Sequence, residues 1–291
     1  MRHTIENEFL KIEADTKVGE LRGIASKKTG KDYLWKGDPT YWAYCAPMLF
    51  PIVCAAMDDT IRVDGVAYDM PKHGFVRQSE FNLVEHTSDS MVFELRESAE
   101  TLKIYPFKFI LRFRYKLRGN AVISEIEVEN TDDKTIYFST GGHPALTCPF
   151  NPGEAYTDYF LEFDQNETLD TVLFKESYLN GSKPYLVDER RIPLSHDALR
   201  GTTLVFNNYR SEGITLRSSK SNNYVRMNIQ GFPWVGIWTQ TDPDAPYICV
   251  EPWYGIPDVY GFKGELKDKK NILSLDAGKT FSCAYTIEVF E

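Results

Sequence analysis

Three short stretches carry side chains able to move protons or grip a polar ligand. The first is Tyr247-Ile248-Cys249-Val250-Glu251-Pro252-Trp253-Tyr254-Gly255-Ile256-Pro257-Asp258, where four apolar or aromatic residues run straight into a carboxylate. Tyr247 to Val250 reads as a short strand buried on both faces. Pro252 has no N–H, which predicts that regular pairing stops there. Glu251 is then expected where a buried strand meets a rigid, aromatic-walled loop. A carboxylate half out of water has its charged form disfavoured, so its pKa rises and it becomes a usable base near neutral pH. An acid that pairs with a nearby Arg, or that caps the loop, fits the same local pattern.

In the second stretch, Ser139-Thr140-Gly141-Gly142-His143-Pro144-Ala145, a strand over Thr135 to Thr140 ends in two glycines and then His-Pro. Histidine, with an unperturbed pKa of about 6.5, can give or take a proton near neutrality. Pro144 blocks continuation of the ladder and restricts His143 to extended geometry. A partly buried His bonded to a carbonyl is the plainer alternative. The third stretch is Pro71-Lys72-His73-Gly74-Phe75-Val76-Arg77, read as a loop. Gly74 lets the backbone come close to a ligand. Arg77 offers fixed donors to hydroxyls, carboxylates or phosphates, or ties the loop to an acidic neighbour.

Other chemistries find less support. His73, His143 and Glu251 could hold a metal, but all three are far apart in sequence, so no metal is expected. There is no Gly-x-Ser-x-Gly for a serine nucleophile, and no phosphate loop or dinucleotide fingerprint. His3, His86 and His196 sit in polar or terminal settings and receive no role.

The elements that must position these groups are strands. The residues Phe107, Phe109, Leu111, Phe113, Tyr115 and Leu117 share one face, and Lys108, Ile110, Arg112, Arg114 and Lys116 the other. Gly119-Asn120 makes a two-residue turn of the primed type. Ala121 to Asn130 returns, and pairing Arg118 with Ala121 sets Arg114 opposite Glu125 and Arg112 opposite Glu127. Further strands are expected at Glu6–Ile12, Gly19–Ser26, Glu80–His86, Met91–Arg96, Tyr159–Phe163, Thr202–Phe206, Gly213–Arg217, Tyr224–Ile229, Trp234–Thr239 and Thr280–Val289. Ser195 to Leu199 makes at most one helical turn. Asn166 to Leu194 has the least pattern and reads as long loops or short edge strands. No repeat or linker divides residues 1–291. The chain is therefore expected to be all-β, one large antiparallel β-sandwich domain with few or no helices.

Composition narrows the partners. The formal net charge of −9 and the lack of a Lys/Arg-rich run argue against nucleic acid. No run approaches 18 apolar residues, so no membrane span is expected. Met1 to Asp15 lacks an apolar signal region. The five scattered cysteines read as free thiols in a reducing cytoplasm. Aromatic residues, 14% of the chain, suit both strands and sugar-binding walls. Trp238, Trp253 and Tyr254 are candidates for such walls.

The three stretches, in this order and at these spacings, resemble those of the aldose 1-epimerase (mutarotase) family, in particular its bacterial LacX-like branch. His73-Gly74-Phe75-Val76-Arg77 is similar to that branch's His-Gly-Phe-x-Arg, Gly142-His143-Pro144 to its His-Pro segment, and Ala245 to Gly255 to the segment carrying its catalytic glutamate. Pro47-Met48-Leu49-Phe50-Pro51-Ile52 resembles the family's Leu-Phe-Pro loop. The resemblance implies a galactose mutarotase-like supersandwich and interconversion of sugar anomers without a cofactor. It implies Glu251 as general base, His143 as general acid, and His73 and Arg77 as sugar contacts. The partner would be a small sugar, and the protein a monomer or homodimer. One departure stands out. Many relatives place Gly-Arg after the Leu-Phe-Pro loop, and that Arg holds the sugar, whereas this chain has Cys54-Ala55. The family's sugar-binding Asp has no motif here, and Asp188 stands only near its position. A hexose-6-phosphate 1-epimerase and a non-catalytic carbohydrate-binding protein are the alternatives.

Overall fold

The hairpin with the plainest alternation forms in the expected register. In a computed structural model describing residues 1–291, Phe109–Arg118 pairs with Ala121–Asn130, with Arg118 opposite Ala121, Arg114 opposite Glu125 and Arg112 opposite Glu127. Gly119 has φ +59° and Asn120 has no positive φ, the pattern of a II′ turn. Arg112 Nε lies 2.8 Å from Glu94 on the next strand, and its Nη1 meets Glu127 and Glu129.

This hairpin sits within a nine-stranded antiparallel sheet. In spatial order the strands are Tyr178–Pro193, Tyr159–Lys175, Gly213–Ser218, Tyr224–Asn228, Thr280–Phe290, Ala121–Asn130, Phe109–Arg118, Ser90–Arg96 and Asn82–His86. A six-stranded sheet faces it: Leu204–Asn207, Trp234–Trp238, Tyr247–Tyr254, Thr140–Gly142 and Met48–Leu49, with Ala145–Thr147 also paired to Tyr247–Tyr254. Residues alternate across each strand, and the inward sets of both sheets, among them Phe113, Tyr115, Val235, Ile237, Ile248, Val250 and Ile287, merge into one main core. The architecture is the expected all-β sandwich of antiparallel sheets. The only α-helix is His196–Leu199, after Ser195. All five cysteines are free. No helix is long and apolar enough to cross a membrane.

Three expectations need correction. Glu6–Ile12 is not one strand: Arg2–Glu6 and Leu10–Asp15 form a hairpin, and the Asn7 side chain closes its turn by accepting from the Phe9 and Leu10 amides at 2.8 Å. Asn166 to Leu194 is not loop or short edge strand. It belongs to two paired strands, Tyr159–Lys175 and Tyr178–Pro193, held by their own ladder. Most of the outer half of this ribbon is exposed, so nothing imposes an apolar alternation on its sequence. Pairing also does not stop at Pro252, because the strand runs on to Tyr254.

Candidate active site

The Tyr247–Tyr254 strand lies near the middle of the six-stranded sheet. Its period-two alternation sends Ile248 and Val250 into the main core, and Tyr247, Cys249, Glu251 and Trp253 to the opposite face. Gly236 stands opposite Glu251 on one neighbour. On the other side the neighbour is broken: Thr140–Gly142 and Ala145–Thr147 are separate short strands, and His143 and Pro144 form the gap between them. The Val250 N–H donates to Pro144 O at 3.3 Å. By alternation the nitrogen of Pro252 points to the same side, where the ladder is interrupted, so its missing donor breaks no regular pairing.

Gly142 supports this arrangement by close approach. A Cβ there would lie 2.4 Å from the Tyr285 ring of the facing sheet. His143, immediately after, is anchored by its own N–H donating to Pro47 O at 2.9 Å. Its imidazole packs against Trp42 (centroids 4.9 Å apart), His73 (5.4 Å) and Trp238 (5.7 Å).

His143 and Glu251 meet. His143 Nε2 lies 3.0 Å from Glu251 Oε2. The contact is not an in-line ring hydrogen bond, so Oε2 is without one, and the other ring nitrogen, Nδ1, is also buried without a partner. Glu251 is only 1% exposed and His143 6%; the carboxylate is thus more deeply buried than the half-solvated position expected for it. Burial pushes the Glu251 carboxyl well above the ordinary range, with the cations of Lys72 and Arg77 working in the opposite direction. Burial, and next the Arg77 charge, holds His143 well below the usual histidine range.

The loop Pro71–Arg77 supplies the rest. His73 has φ +68°, its N–H donates to Cys54 O at 2.8 Å, and its Nδ1 accepts the Cys54 N–H at 3.1 Å. Accepting at Nδ1 places the ring proton on Nε2. Gly74 (φ +75°) does not open a path for a ligand. A Cβ there would lie 2.0 Å from Phe50 O, so the close approach it permits is to the protein's own Leu-Phe-Pro loop. The Arg77 guanidinium lies 5.2 Å from the centroid of Tyr44, and its Nη2 donates to Lys72 O at 2.8 Å. Neither Lys72 nor Arg77 forms an ion pair with a carboxylate.

These groups border one cavity of about 510 Å³, into which Glu251, His143, His73 and Arg77 all open, together with Tyr41, Trp42, Cys54, Lys72, Trp238, Gln240 and Trp253. The far rim comes from Phe174 and Ser177 on the long ribbon and from the Leu199–Thr203 segment. Trp238 and Trp253 are walls, as expected. Tyr254 is not: it faces the core side, packs on Phe232 and Phe281, and bonds Gly231 O. Asp188 is excluded as well. It is exposed on the ribbon, where Asn166 bonds it, and lies away from the cavity. Trp42 and Lys72 were visible, one in an aromatic cluster and one beside His73, but no spacing rule marked them. The chemistry available here is an acid and a base within reach of one polar ligand held between indole walls.

The comparisons with known proteins agree along the chain. The sequence profile described as aldose 1-epimerase matches residues 4–274. The chromosomal LacX protein of Lactococcus lactis subsp. lactis is 34% identical over 293 residues, covering 94% of this chain and 96% of that protein. An X-ray structure of a galactose mutarotase related enzyme from Lactobacillus acidophilus superposes with a TM-score of 0.96 at 31% identity, covering 100% of this chain and 98% of the other. A galactose mutarotase-like protein from Lactobacillus casei ATCC 334 gives 0.93 at 29% identity, with both chains fully covered. Sequence motifs, sandwich and profile coincide over almost the full length, and the chain belongs to the aldose 1-epimerase family.

Proposed function

We propose that the protein interconverts the α and β anomers of a hexose, with Glu251 as base and His143 as acid and no cofactor. The observation that carries this reading is the 3.0 Å approach of the two side chains on the wall of a cavity large enough for a pyranose. Glu251 takes the proton of the C1 hydroxyl, the O–H electrons form the C1 carbonyl, the C1–O5 bond breaks, and O5 takes a proton from His143. Rotation about C1–C2 presents the other carbonyl face, and closure reverses both transfers. The ring opens from the carboxylate–imidazolium arrangement of the pair's single proton and leaves carboxylic acid and imidazole, so its total proton count never changes. Burial disfavours the charged pair, which drives the transfers that open the ring. His73, through Nε2–H, and Arg77 are the proposed sugar contacts, and Trp42, Trp238 and Trp253 cover the ring faces.

Anomer exchange followed by NMR on glucose and galactose tests the reading. Wild type is expected to accelerate exchange well beyond buffer and Glu251→Gln to lose about 10²-fold or more; equal rates for wild type and buffer on every sugar tried would reject it. A carbohydrate-binding protein without turnover needs no acid–base pair, and the same assay separates the two.

A second reading, an epimerase of hexose 6-phosphates, has one observation in its favour: Lys72 and Arg77 border the cavity without a carboxylate counterion. Comparing aldoses with their 6-phosphates decides it. If phosphate is bound there, Lys72→Met raises KM for the phosphorylated sugar alone.

A further inference from the structure

One ligand-type side chain beside the acid–base pair has no part in that chemistry. Cys249 precedes Glu251 by two residues on the same strand, so both project from one face. The Cys249 Sγ, a ring nitrogen of His143 and a carboxylate oxygen of Glu251 all lie within 4.8 Å of one another, and all three residues are buried. Within this cluster Glu251 Oε2, on a side chain 1% exposed, makes no hydrogen bond; its one polar neighbour is His143 Nε2 at 3.0 Å. We infer that Cys249, His143 and Glu251 form a capture site for a thiophilic divalent cation, Zn²⁺ or Cd²⁺, which reversibly silences the acid–base pair.

The donor set favours such ions. One thiolate, one imidazole and one carboxylate suit Zn²⁺ and its congeners over Mg²⁺ or Ca²⁺, which take oxygen ligands. Tetrahedral zinc bonds of about 2.0–2.3 Å put ligand atoms roughly 3.5 Å apart, so small side-chain rotations suffice to close the cluster. His143 and Glu251 border the cavity, so a fourth ligand would be water from that side, while Cys249 is fully buried and does not border it. Charge balances too. The cation displaces one proton from the Cys249 thiol and the single proton shared by the Glu251–His143 pair, and thiolate plus carboxylate neutralise it. A neutral centre costs less in an apolar wall than a lone buried charge. Lys72 and Arg77 in the same cavity oppose the cation. His73 does not join the set, because its Nδ1 accepts the Cys54 amide and its Nε2 carries the proton. The sequence trio weighed and set aside for a metal had His73 as its third member; the cluster in the fold has Cys249 there.

The inhibitory part of this inference rests on the proposed acid–base reading, but the binding part does not. Metal-free protein titrated with CdCl₂ should develop the ultraviolet thiolate-to-cadmium charge-transfer band. Part of that band should vanish in Cys249→Ser, which keeps the other four thiols. Glu251→Gln and His143→Asn keep the thiol and should each weaken Cd²⁺ binding about tenfold or more, which carries the test if the Cys249 variant does not fold. Zn²⁺ should slow wild-type anomer exchange, EDTA should restore it, and Cys249→Ser, normalised to its own metal-free rate, should need about tenfold more Zn²⁺. Identical Cd²⁺ titrations for wild type and Cys249→Ser, or undiminished affinity in both Glu251→Gln and His143→Asn, would overturn the site. A cadmium band in a protein with no metal-free anomer exchange would keep the site and reject the proposed function.

Discussion

Two titratable side chains in contact behave as a unit, and their proton count is what the proposed reaction requires. Burial raises the Glu251 value and lowers that of His143, so the two move toward each other and the pair titrates as a unit. The expected pH profile of kcat/KM is a bell whose two limbs belong to the pair, with the one-proton form active between them. Lys72 favours the carboxylate and disfavours the imidazolium. Lys72→Met should therefore move both limbs to higher pH, a direction that pH-dependent NMR exchange rates can read. His143→Asn should cost about 10²-fold or more in kcat and remove one limb of the bell.

At the scale of elements, close backbone approaches decide whether the segments can meet. Gly74 combines φ +75° with backbone contact to the Phe50–Pro51 peptide. Gly74→Ala meets both obstacles and should destabilise the fold by about 2 kcal/mol or more, read by urea unfolding; anomer exchange should fall too, because His73 shifts with the loop. On the nine-stranded sheet, Arg112 gathers Glu94, Glu127 and Glu129 at one place. Arg112→Ala leaves three like charges together and should cost about 1 kcal/mol, shrinking as salt is added. An unchanged urea midpoint in either variant would contradict its argument.

Across the whole molecule, the site is assembled by contacts between distant parts of the chain. The Asp258 segment, which follows the Glu251 strand, is tied to the loop after Cys54: Asp258 Oδ2 accepts the Met57 N–H at 2.7 Å, and Oδ1 pairs with the ammonium of Lys269. Both side chains of that ion pair are almost fully buried, at 4% and 2% exposure. Lys269→Met leaves the Asp258 charge buried without its partner and should cost about 3 kcal/mol, whereas the double variant with Asp258→Asn should cost less. Thermal or urea unfolding of the two variants checks the order.

Alternation along single strands could be read without coordinates because period two is a local property. Arg112 facing Glu127 and the turn at Gly119-Asn120 followed from it, and the short motifs around His73, His143 and Glu251 carried the family resemblance. Tyr159–Phe163 was read as strand, but the ribbon from Asn166 to Pro193 was not legible, since two strands that bond mainly to each other in solvent need no apolar pattern. Tyr254 and Asp188 were misplaced for a related reason: a residue type does not say which face of a sheet it occupies. The sequence by itself determined which side chains were available, namely a carboxylate, two imidazoles, a guanidinium and a surplus of indoles and phenols. Only the tertiary structure decided that Glu251 and His143 touch, that Lys72 and Trp42 share their cavity, and that His143 comes to the face on which Cys249 and Glu251 stand, because each of these contacts joins segments far apart in the chain that only the packing of strands brings together.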